Sequence, residues 1–446
     1  MFSPLQRSRM VKRQDKYTWH IGSPPPPIDP HSLVKHQIVR KYLERYIQVL
    51  MSNYRIEKLT LSIVDGFAGG GEYLGERGEA AFHDGSPLLA LGTVAEQEAW
   101  LNVGRTKQRR VDGRFYFVEK VQSNFDYLKH LLGARGVAGR LGNDVHLFNS
   151  PFDRVVQPII DDIRRRAGGE RAIFLLDQYA YDQVPGQLLR QIFSQVKGAE
   201  VLLTFNVDSL ISFLTDSTPN RRKLADMGLD AYVDWGSIER LKVTSPTQWK
   251  SVIQRSLARG LVETSGATHY TIFYITPMGN TAWTYWLVHL SRSFKARDVM
   301  MELHWEHANH FSHYLEPDIF TLGYRANDDL QARMQEAFDL GQAHHFDAVA
   351  SKRCLSGLSE KLIPAVYDGE ARTFDGWLEA IGSKTPATAD MVREALDPGI
   401  RAGDIVARSA KGAIRQKGQS VQATDVLSGA AQRRLILLPG HLKGAS

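Results

Sequence analysis

The alternation of short apolar runs with amphipathic segments between residues 58 and 205 constrains the fold more than any other feature of the chain. The apolar runs are TLSIVDGF, RFYFVEK, DVHLFNS, RAIFLLDQY and EVLLTFNV. Helical patterns lie between them, including one that opens with a capping serine, Ser86, and a proline, Pro87, at its first helical position. Strands interleaved with helices at this spacing predict a parallel sheet covered by helices on both faces.

The segments on either side of this region extend the prediction. HSLVKHQIVRKYLERYIQVLMSNY has apolar residues three and four positions apart, which predicts an amphipathic helix before the first strand. Residues 207–265 are predicted to form an insertion of short helices and loops. Two strand-like runs joined by PMGN follow and are expected to pair as an antiparallel hairpin. A parallel sheet with a late hairpin is the arrangement of class I S-adenosylmethionine-dependent methyltransferases, and it differs from a dinucleotide-binding sheet.

Three parts of the chain differ in composition. Residues 1–30 contain four consecutive prolines and are expected to be an extended or disordered lead-in. Residues 31–310 are predicted to form the Rossmann-like domain, with a linker between 310 and 350. Residues 345–446 are rich in Arg and Lys, and a short helix precedes GDIVARSAKGAIRQKGQSV, which resembles a two-stranded wing. We therefore predict a winged-helix-like C-terminal domain.

Size and composition limit the class of protein. A chain of 446 residues is too long for one ordinary domain, and its net charge of +6 is compatible with an anionic partner. The single cysteine, Cys354, excludes an intrachain disulfide and a zinc cluster built on cysteines. No window approaches 18 uninterrupted apolar residues, and the N-terminus lacks the apolar run of a signal peptide. We expect a cytoplasmic protein without membrane contact and without a metal site.

The stretch LSIVDGFAGGGEYLG places a carboxylate and three glycines immediately after the first strand. Ligands of parallel sheets bind beyond the carboxyl ends of the strands, and glycines let a ligand approach bare backbone. A carboxylate there disfavours a phosphate but suits the ammonium and sulfonium of S-adenosylmethionine, the cofactor that we predict. The alternative is a tight strand-to-helix turn without a ligand. The candidate cofactor-binding residues of this region are Asp65, Phe67, Ala68, Gly69, Gly71, Tyr73 and Ser86.

The ends of the second and third strands supply further candidates for the cofactor site. Glu119 ends the second strand, where a carboxylate is well placed to accept both ribose hydroxyls; the alternative is an exposed acid at a strand end. The third strand ends in FNSPFD. There, Asn149 or Ser150 is predicted to supply a polar contact to adenine, and Phe152 to stack on it.

The fourth strand ends in LLDQYAYDQVP, at the expected position of the methyl group. Methyltransferases that act on the amines of nucleic-acid bases carry Asp/Asn-Pro-Pro-Tyr/Phe here, with the acid or amide contacting the amine and the ring stacking on a flipped base. Asp177, Gln178 and Tyr179 are therefore the candidate catalytic residues. In the alternative interpretation, Asp177 only caps the following loop.

Basic residues concentrate in the predicted wing. They are Arg408, Lys411, Arg415 and Lys417. We predict that they contact DNA or RNA through its phosphates. Docking to another protein is the alternative.

The chain resembles the family of three-Cys-motif partner proteins, TcmP. The resemblance spans roughly residues 30–440, through Lys35, Tyr42, Leu43 and Tyr46, through DGFAGGGEY and DGSPLLAL, and through YWLVHLSRSFKARDVMMELHWEH. LDQYAY departs from the family's DPFG-like strand end. The resemblance implies a methyltransferase-like Rossmann domain, a bacterial origin and a separate partner that carries three cysteines. It further implies that this partner is an iron–sulfur protein similar to radical S-adenosylmethionine enzymes.

Three functions follow as hypotheses. The first is an S-adenosylmethionine-dependent methyltransferase that acts on or with nucleic acid. The second is a non-catalytic module that scaffolds the cysteine-bearing partner or binds nucleic acid. The third is a metal-dependent nuclease or other hydrolase that uses Asp177 and neighbouring acids.

Overall fold

The computed structural model describes residues 17–75, 81–178, 182–212, 214–244, 249–275, 285–306, 348–416 and 418–430. The chain divides into two compact units, Met1–Val299 and Met300–Ser446. The domain limits drawn from the sequence stay predictions. No helix in the described ranges is long and apolar enough to cross a membrane.

The first unit contains the predicted α/β sheet. Its strands are β1 (Lys58–Asp65), β2 (Glu72–Leu74), β3 (Phe82–Asp84), β4 (Arg110–Val118), β5 (Val145–Phe148), β6 (Arg171–Asp177), β7 (Gly198–Phe205), β8 (His269–Ile275) and β9 (Tyr285–Ser291). Seven of them form one sheet in the order β5-β4-β1-β6-β7-β9-β8, and β2 pairs with β3 separately. The first five are parallel, whereas β9 is antiparallel to both β7 and β8. The predicted hairpin after five parallel strands is confirmed.

Helices connect and cover these strands. They are α1 (Pro30–Leu50), α2 (Ser86–Leu101), α3 (Gln122–Ala134), α4 (Phe152–Arg165), α5 (Gly186–Gln195), α6 (Val207–Ser212), α7 (Thr218–Asp226), α8 (Trp235–Thr244), α9 (Trp249–Ser265) and α10 (Phe294–Glu306). The insertion predicted at 207–265 consists of α6 to α9. Ser86 begins α2, but Gly85 occupies the cap position, because the chain arrives there in tight contact with the backbone of Gly71.

The core lies on both faces of the central strands. All but the first residue of β1 are buried, as are the five residues between the ends of β6. A buried polar group ties α1 to this core, since the Tyr42 hydroxyl donates to the Glu200 carboxylate on β7 and lies 3.0 Å from Nε2 of His289 on β9. Helix α1 is therefore held to the sheet by polar as well as apolar contacts.

The segment 17–29 packs along the hairpin that follows the first strand. The N–H of Ile28 donates to the Leu74 carbonyl (2.9 Å), and the N–H of Leu74 donates to the Pro26 carbonyl (3.0 Å). Trp19 is buried, with only 2% of its surface exposed. This part of the lead-in thus adds backbone and an indole ring to the surroundings of the glycine turn.

The second unit has the element order helix, strand, helix, helix, strand, strand. The elements are α11 (Ala348–Asp368), β10 (Arg372–Thr373), α12 (Phe374–Ile381), α13 (Ala389–Ala402), β11 (Ile405–Arg408) and β12 (Val426–Gly429). The strands pair antiparallel in the order β10-β12-β11. Threonine hydroxyls cap α12 and α13 at Thr373 and Thr388. The winged-helix identity of this unit stays a prediction.

Candidate cofactor and acceptor site

Three carboxylates gather where β1, β4 and β6 end. Asp65 is the last residue of β1 and aligns with Phe117 of β4 and Leu175 of β6. Glu119 follows β4 by one residue, and Asp177 ends β6. The carboxyl ends of neighbouring parallel strands are where open α/β sheets bind ligands. The structure thus brings together the three acids that the sequence placed at separate strand ends.

Asp65 is buried, with 1% of its surface exposed, and only one of its oxygens has a partner. Oδ1 accepts the N–H of Phe67 at 3.1 Å, whereas Oδ2 accepts no hydrogen bond of good geometry from the described residues. Burial raises the pKa of Asp65 to about 7, and the nearby Ser86 hydroxyl and the Phe67 N–H lower it against that effect. A buried oxygen without a partner is costly, so it is a natural acceptor for a cationic ligand.

Glu119 holds the glycine turn in place. Its Oε2 accepts the N–H of Gly69 at 3.0 Å, and its Oε1 accepts the N–H of Val121 at 2.7 Å. Burial raises its pKa, while the Val121 and Gly69 N–H groups lower it. Each carboxylate oxygen has a second lone pair, so Glu119 retains the capacity to accept ribose hydroxyls.

The space beside the glycine turn is filled partly by Trp19. A Cβ on Gly70 would lie 2.2 Å from the indole ring, and one on Gly69 would lie 3.2 Å from it. The indole Nε1 donates to the Glu72 carbonyl at 2.7 Å, and the Trp19 N–H donates to Asn124 at 3.0 Å. At Gly70 the packing of Trp19 leaves no room for a side chain, whereas at Gly69 the contact would be tight and the φ of +59° also favours glycine.

Tyr73 lies between the turn and the acids. Its ring contacts Trp19 edge-on, with centroids 5.3 Å apart, and His36 at 5.9 Å. Burial raises the pKa of Tyr73, and the charges of Asp177, Asp65 and Glu119 raise it further. A neutral phenol therefore stands among the three carboxylates.

The candidate residues that follow β5 contact the backbone of Glu119 and the ring of Phe67. Asn149 donates from Nδ2 to the Glu119 carbonyl at 3.0 Å, and the N–H of Ser150 donates to the same oxygen at 3.2 Å. Phe152 is buried and packs against Phe67, with ring centroids 6.3 Å apart. These three residues hold the end of β4 and the turn, and any contact of theirs with adenine stays a prediction.

Asp177 is paired with a lysine that the sequence reasoning did not assign to the site. Nζ of Lys35, on α1, lies 2.6 Å from both Asp177 oxygens. The Lys35 side chain is 9% exposed and that of Asp177 is 42% exposed. Partial burial works to raise the pKa of Asp177, but the charge and hydrogen bond of Lys35 and the Thr204 hydroxyl hold it below its usual value. The only indication of Lys35 in the sequence is that it is the first of the α1 residues that resemble the TcmP family.

Gln178 fastens the loop that follows β6. Its Oε1 accepts the N–H groups of Gln183 at 3.1 Å and of Val184 at 3.0 Å, and its Nε2 is buried without an acceptor among the described residues. Tyr179, the third candidate catalytic residue, lies outside the described residues. The side-chain oxygen of Gln178 therefore ties the end of β6 to the backbone of Gln183 and Val184.

The four basic residues predicted to lie in the wing differ in their surroundings. Arg408, the last residue of β11, and Lys411, in the connection between β11 and β12, are both exposed. Arg415 donates from Nε and Nη2 to the buried Asp425 at 2.7 and 2.8 Å. Lys417 lies outside the described residues. Of the four, Arg415 has a structural partner that explains its presence without a nucleic acid.

The sheet is mostly parallel, and the antiparallel strand β9 lies between β7 and β8 at one side. This arrangement is a class I methyltransferase-like Rossmann fold. The first unit therefore belongs to this fold class, with an acidic edge where that class binds its cofactor.

Comparison with known proteins adds little to this assignment. No family model and no curated protein matches the chain. Among solved structures it is similar to protein LPL1258 from Legionella pneumophila, at 10% identity over 60% of this chain and 88% of that one, with a TM-score of 0.34. It is also similar to the bifunctional kinase-methyltransferase WbdD, at 10% identity and a TM-score of 0.32, and spans 46% of that chain.

A putative rRNA-methylase from Clostridium thermocellum matches at 7% identity over 60% of this chain and 98% of that one, with a TM-score of 0.28. Scores this low carry no argument about function. The fold class rests on the strand order and the direction of the strands.

Proposed function

We propose that the first unit binds S-adenosylmethionine and transfers its methyl group to an acceptor beside Asp177. The observation that supports this most is the buried Oδ2 of Asp65, which accepts no hydrogen bond of good geometry from the described residues, has the Ser86 hydroxyl nearby, and stands at the ligand-binding edge of the sheet. When bound, the cofactor would supply an electrophilic methyl group on a positively charged sulfur.

The residues of the chain would divide the work of binding and orientation. Asp65 would neutralise the positive charge of the ligand, and Glu119 would accept the ribose hydroxyls while it keeps the Gly69 N–H. On the acceptor side, Lys35 keeps Asp177 ionised, so its carboxylate can accept a hydrogen bond from an amine. Holding both reactants in one geometry is the main contribution that such a site makes to the rate.

Isothermal titration of the full-length protein with S-adenosylmethionine and S-adenosylhomocysteine tests cofactor binding. We expect micromolar dissociation constants that weaken at least tenfold in Asp65→Asn and in Glu119→Gln, because each substitution removes a charged acceptor. Asp161→Asn, an exposed acid on α4, is the matched control and should bind like the wild type. Absence of binding to the wild type would remove the proposal.

A second candidate function is a non-catalytic binding module, and the state of Asp177 favours it. Both Asp177 oxygens contact Lys35, and the side-chain oxygen of Gln178 accepts two backbone N–H groups, so of these groups only the buried Nε2 of Gln178 lacks a partner among the described residues. Incubation with methyl-tritiated cofactor and total DNA and RNA separates the two functions. Cofactor binding without transfer of label would favour the module.

The choice of acceptor and partner rests on the sequence. The similarity of LDQYAY to the motif of base-amine methyltransferases supports a nucleic-acid acceptor, and the resemblance to the TcmP family supports a three-cysteine iron–sulfur partner. Co-expression with a neighbouring gene that encodes three clustered cysteines, followed by purification through either protein, tests the partner. Independent elution of the two proteins would oppose it.

We also infer that the second unit contacts nucleic acid through a wing formed by the connection between β11 and β12. The exposed Arg408 and Lys411 support this, and the element order is compatible with a winged helix. Arg408→Gln with Lys411→Gln should weaken duplex binding and lower its dependence on salt concentration. Unchanged binding would favour protein docking instead.

A further inference from the structure

A second surface lies at the opposite edge of the sheet, where β1 and β4 begin. Four large apolar side chains are exposed there, although they come from two separate segments. They are Tyr54 (67% exposed), Ile56 (37%), Trp100 (57%) and Val103 (78%). Two of them are aromatic, and exposed tryptophan concentrated with other apolar groups marks an interaction site more often than a single exposed side chain does.

Arg109 joins the two segments into one surface. Its guanidinium donates from Nη2 to the carbonyls of Met51 (2.5 Å) and Asn53 (3.0 Å) and from Nε to that of Ile56 (2.7 Å). The Asn102 side chain accepts the Arg109 N–H and donates to the Arg109 carbonyl, both at 2.7 Å. The loop after α1 and the end of α2 are therefore held side by side, and we call residues 54–58 and 100–110 the basic-aromatic surface.

Positive charge on this surface exceeds negative charge. Lys107 forms an ion pair with Glu57, and Lys58 forms one with Asp112 at 2.9 Å. Arg55, Arg105 and Arg110 form no ion pair within the described part of the chain. Arg55 lies beside the Tyr54 ring, and Arg110 is close enough to Asp112 to help lower the pKa of that carboxyl without forming an ion pair with it. The unpaired guanidinium groups are available to an anionic partner.

We propose that the basic-aromatic surface binds single-stranded nucleic acid, with bases stacked on Tyr54 and Trp100 and phosphates paired with the arginines. Proteins that bind single strands combine aromatic platforms with a cationic surface in this way. The Arg55 guanidinium lies over the Tyr54 ring, 5.6 Å from its centroid, and its Nε donates to the Tyr54 hydroxyl at 3.3 Å, so an aromatic ring and a cation are already adjacent. An acidic protein would also pair with the arginines, and the comparison with oligoglutamate below distinguishes it from a single strand.

The surface is separate from the candidate cofactor site. Strand β1 has eight residues between Lys58 at this edge and Asp65 at the other. At a rise of about 3.3 Å per residue the two edges lie roughly 23 Å apart. A single strand held here would be anchored on the first unit at a distance of several nucleotides from Asp177, and its binding does not require the cofactor.

Fluorescence anisotropy of the full-length protein with labelled 20-nucleotide oligo-dT and oligo-U tests the proposal. In Tyr54→Ala with Trp100→Ala we expect binding to weaken at least tenfold, because both stacking surfaces for the bases are removed. Tyr54→Phe with Trp100→Phe should stay within about threefold of the wild type, since both rings are retained. Arg55→Gln with Arg110→Gln should weaken binding and reduce the slope of log affinity against log salt by about 0.7 per residue.

Controls separate this surface from others on the chain. Phe82→Ala removes an aromatic ring that is also 57% exposed, and Arg222→Gln removes an exposed arginine; neither should change binding. Three results would overturn the proposal. They are no binding by the wild type at 50 mM salt, loss of binding only in Arg408→Gln with Lys411→Gln, and equal affinity for a 20-residue oligoglutamate. Cofactor binding is measured in a different experiment, the titration with S-adenosylmethionine. A failure to bind the cofactor would therefore not contradict binding of a single strand at the basic-aromatic surface.

Discussion

At the scale of single residues, Asp65 and Gly70 are tightly packed at the end of β1 and in the turn that follows it. Asp65 is buried with one oxygen bonded to the Phe67 N–H, and Gly70 gives its side-chain space to the Trp19 ring. Both features are adverse to stability in isolation, because a buried carboxylate must lose its hydration and a glycine loses more conformational freedom than alanine on folding. Each therefore makes a measurable prediction about the ligand-free protein.

Asp65 should make the ligand-free protein less stable as the pH rises. The Asp65 pKa is about 7 in the folded protein, whereas an aspartate in an unfolded chain has a pKa of 3.8. Between these two pH values the folded state therefore keeps a proton that the unfolded state has lost. The stabilisation is complete below pH 3.8 and is lost as the pH rises through about 7. Asp65→Asn should remove on the order of 2–3 kcal/mol of this dependence between pH 5 and pH 8, measured by urea unfolding. Parallel pH profiles for the two proteins would contradict the prediction.

Gly70→Ala should destabilise the first unit. The added Cβ would lie 2.2 Å from the buried indole, which is fixed by hydrogen bonds to Glu72 and Asn124 and cannot move freely. We expect a loss of about 1–3 kcal/mol, the usual cost of overpacking, in thermal or urea unfolding. Gly133→Ala is the control, since no atom lies within 4 Å of its Cβ position and alanine favours the helix α3. Equal effects of the two substitutions would argue against the Trp19 contact.

At the scale of elements, α1 is the part that completes the site. It packs on the sheet through Tyr42, which contacts β7 and β9, and through Lys35, which contacts the end of β6. One helix therefore couples the core to the acceptor side, because its two polar anchors lie seven residues apart on the same side of the helix.

Lys35→Met should lower stability at neutral pH by about 1 kcal/mol, a value reduced for the exposure of Asp177. Lys35 lowers the pKa of Asp177, so its contribution is present above the ordinary pKa of an aspartate and is lost as the pH falls through the lowered value. The difference between Lys35→Met and the wild type should therefore shrink below about pH 4. Lys41→Met, on the exposed side of the same helix, is the control. A Lys35→Met protein as stable as the wild type at pH 7 would rule out a stabilising pair.

At the scale of the whole molecule, the chain divides into two compact units. The second unit contains an ion pair of its own, in which Asp425 has no exposed side-chain surface and the Arg415 side chain is 27% exposed. The guanidinium lowers the pKa of Asp425 by its hydrogen bonds. Changes at this pair should therefore appear in the unfolding of the second unit, while cofactor binding by the first stays as it was.

Arg415→Gln should destabilise the second unit measurably, because it leaves the Asp425 carboxylate without its cation. Arg408→Gln should leave stability within about 0.5 kcal/mol, since Arg408 is exposed. Scanning calorimetry of both variants measures the effect, and S-adenosylmethionine titration serves as the readout for the first unit. A stable Arg415→Gln protein with weakened nucleic-acid binding would assign Arg415 to the ligand instead.

The order of strands and helices in the first unit was predictable because hydrophobic periodicity is a local property of the chain. The same holds for the antiparallel hairpin at the end of the sheet and for the helical insertion at 207–265. Asp65, Glu119 and Asp177 could be placed at one edge from the rule that parallel strands end together. Lys35 and Trp19 could not, because their partners are 142 and 53 residues away and depend on how α1 and the lead-in pack.

The sequence by itself determined the α/β class, the parallel sheet and the acidic edge, since each follows from patterns only a few residues long. The tertiary structure alone decided which acid is free and which is engaged. Asp65 keeps an unsatisfied oxygen, whereas Asp177 is paired with Lys35 and Glu119 holds the turn. It also decided that Trp19 occupies the space beside Gly70. These outcomes depend on contacts between distant segments, whose geometry is set by packing of the whole unit.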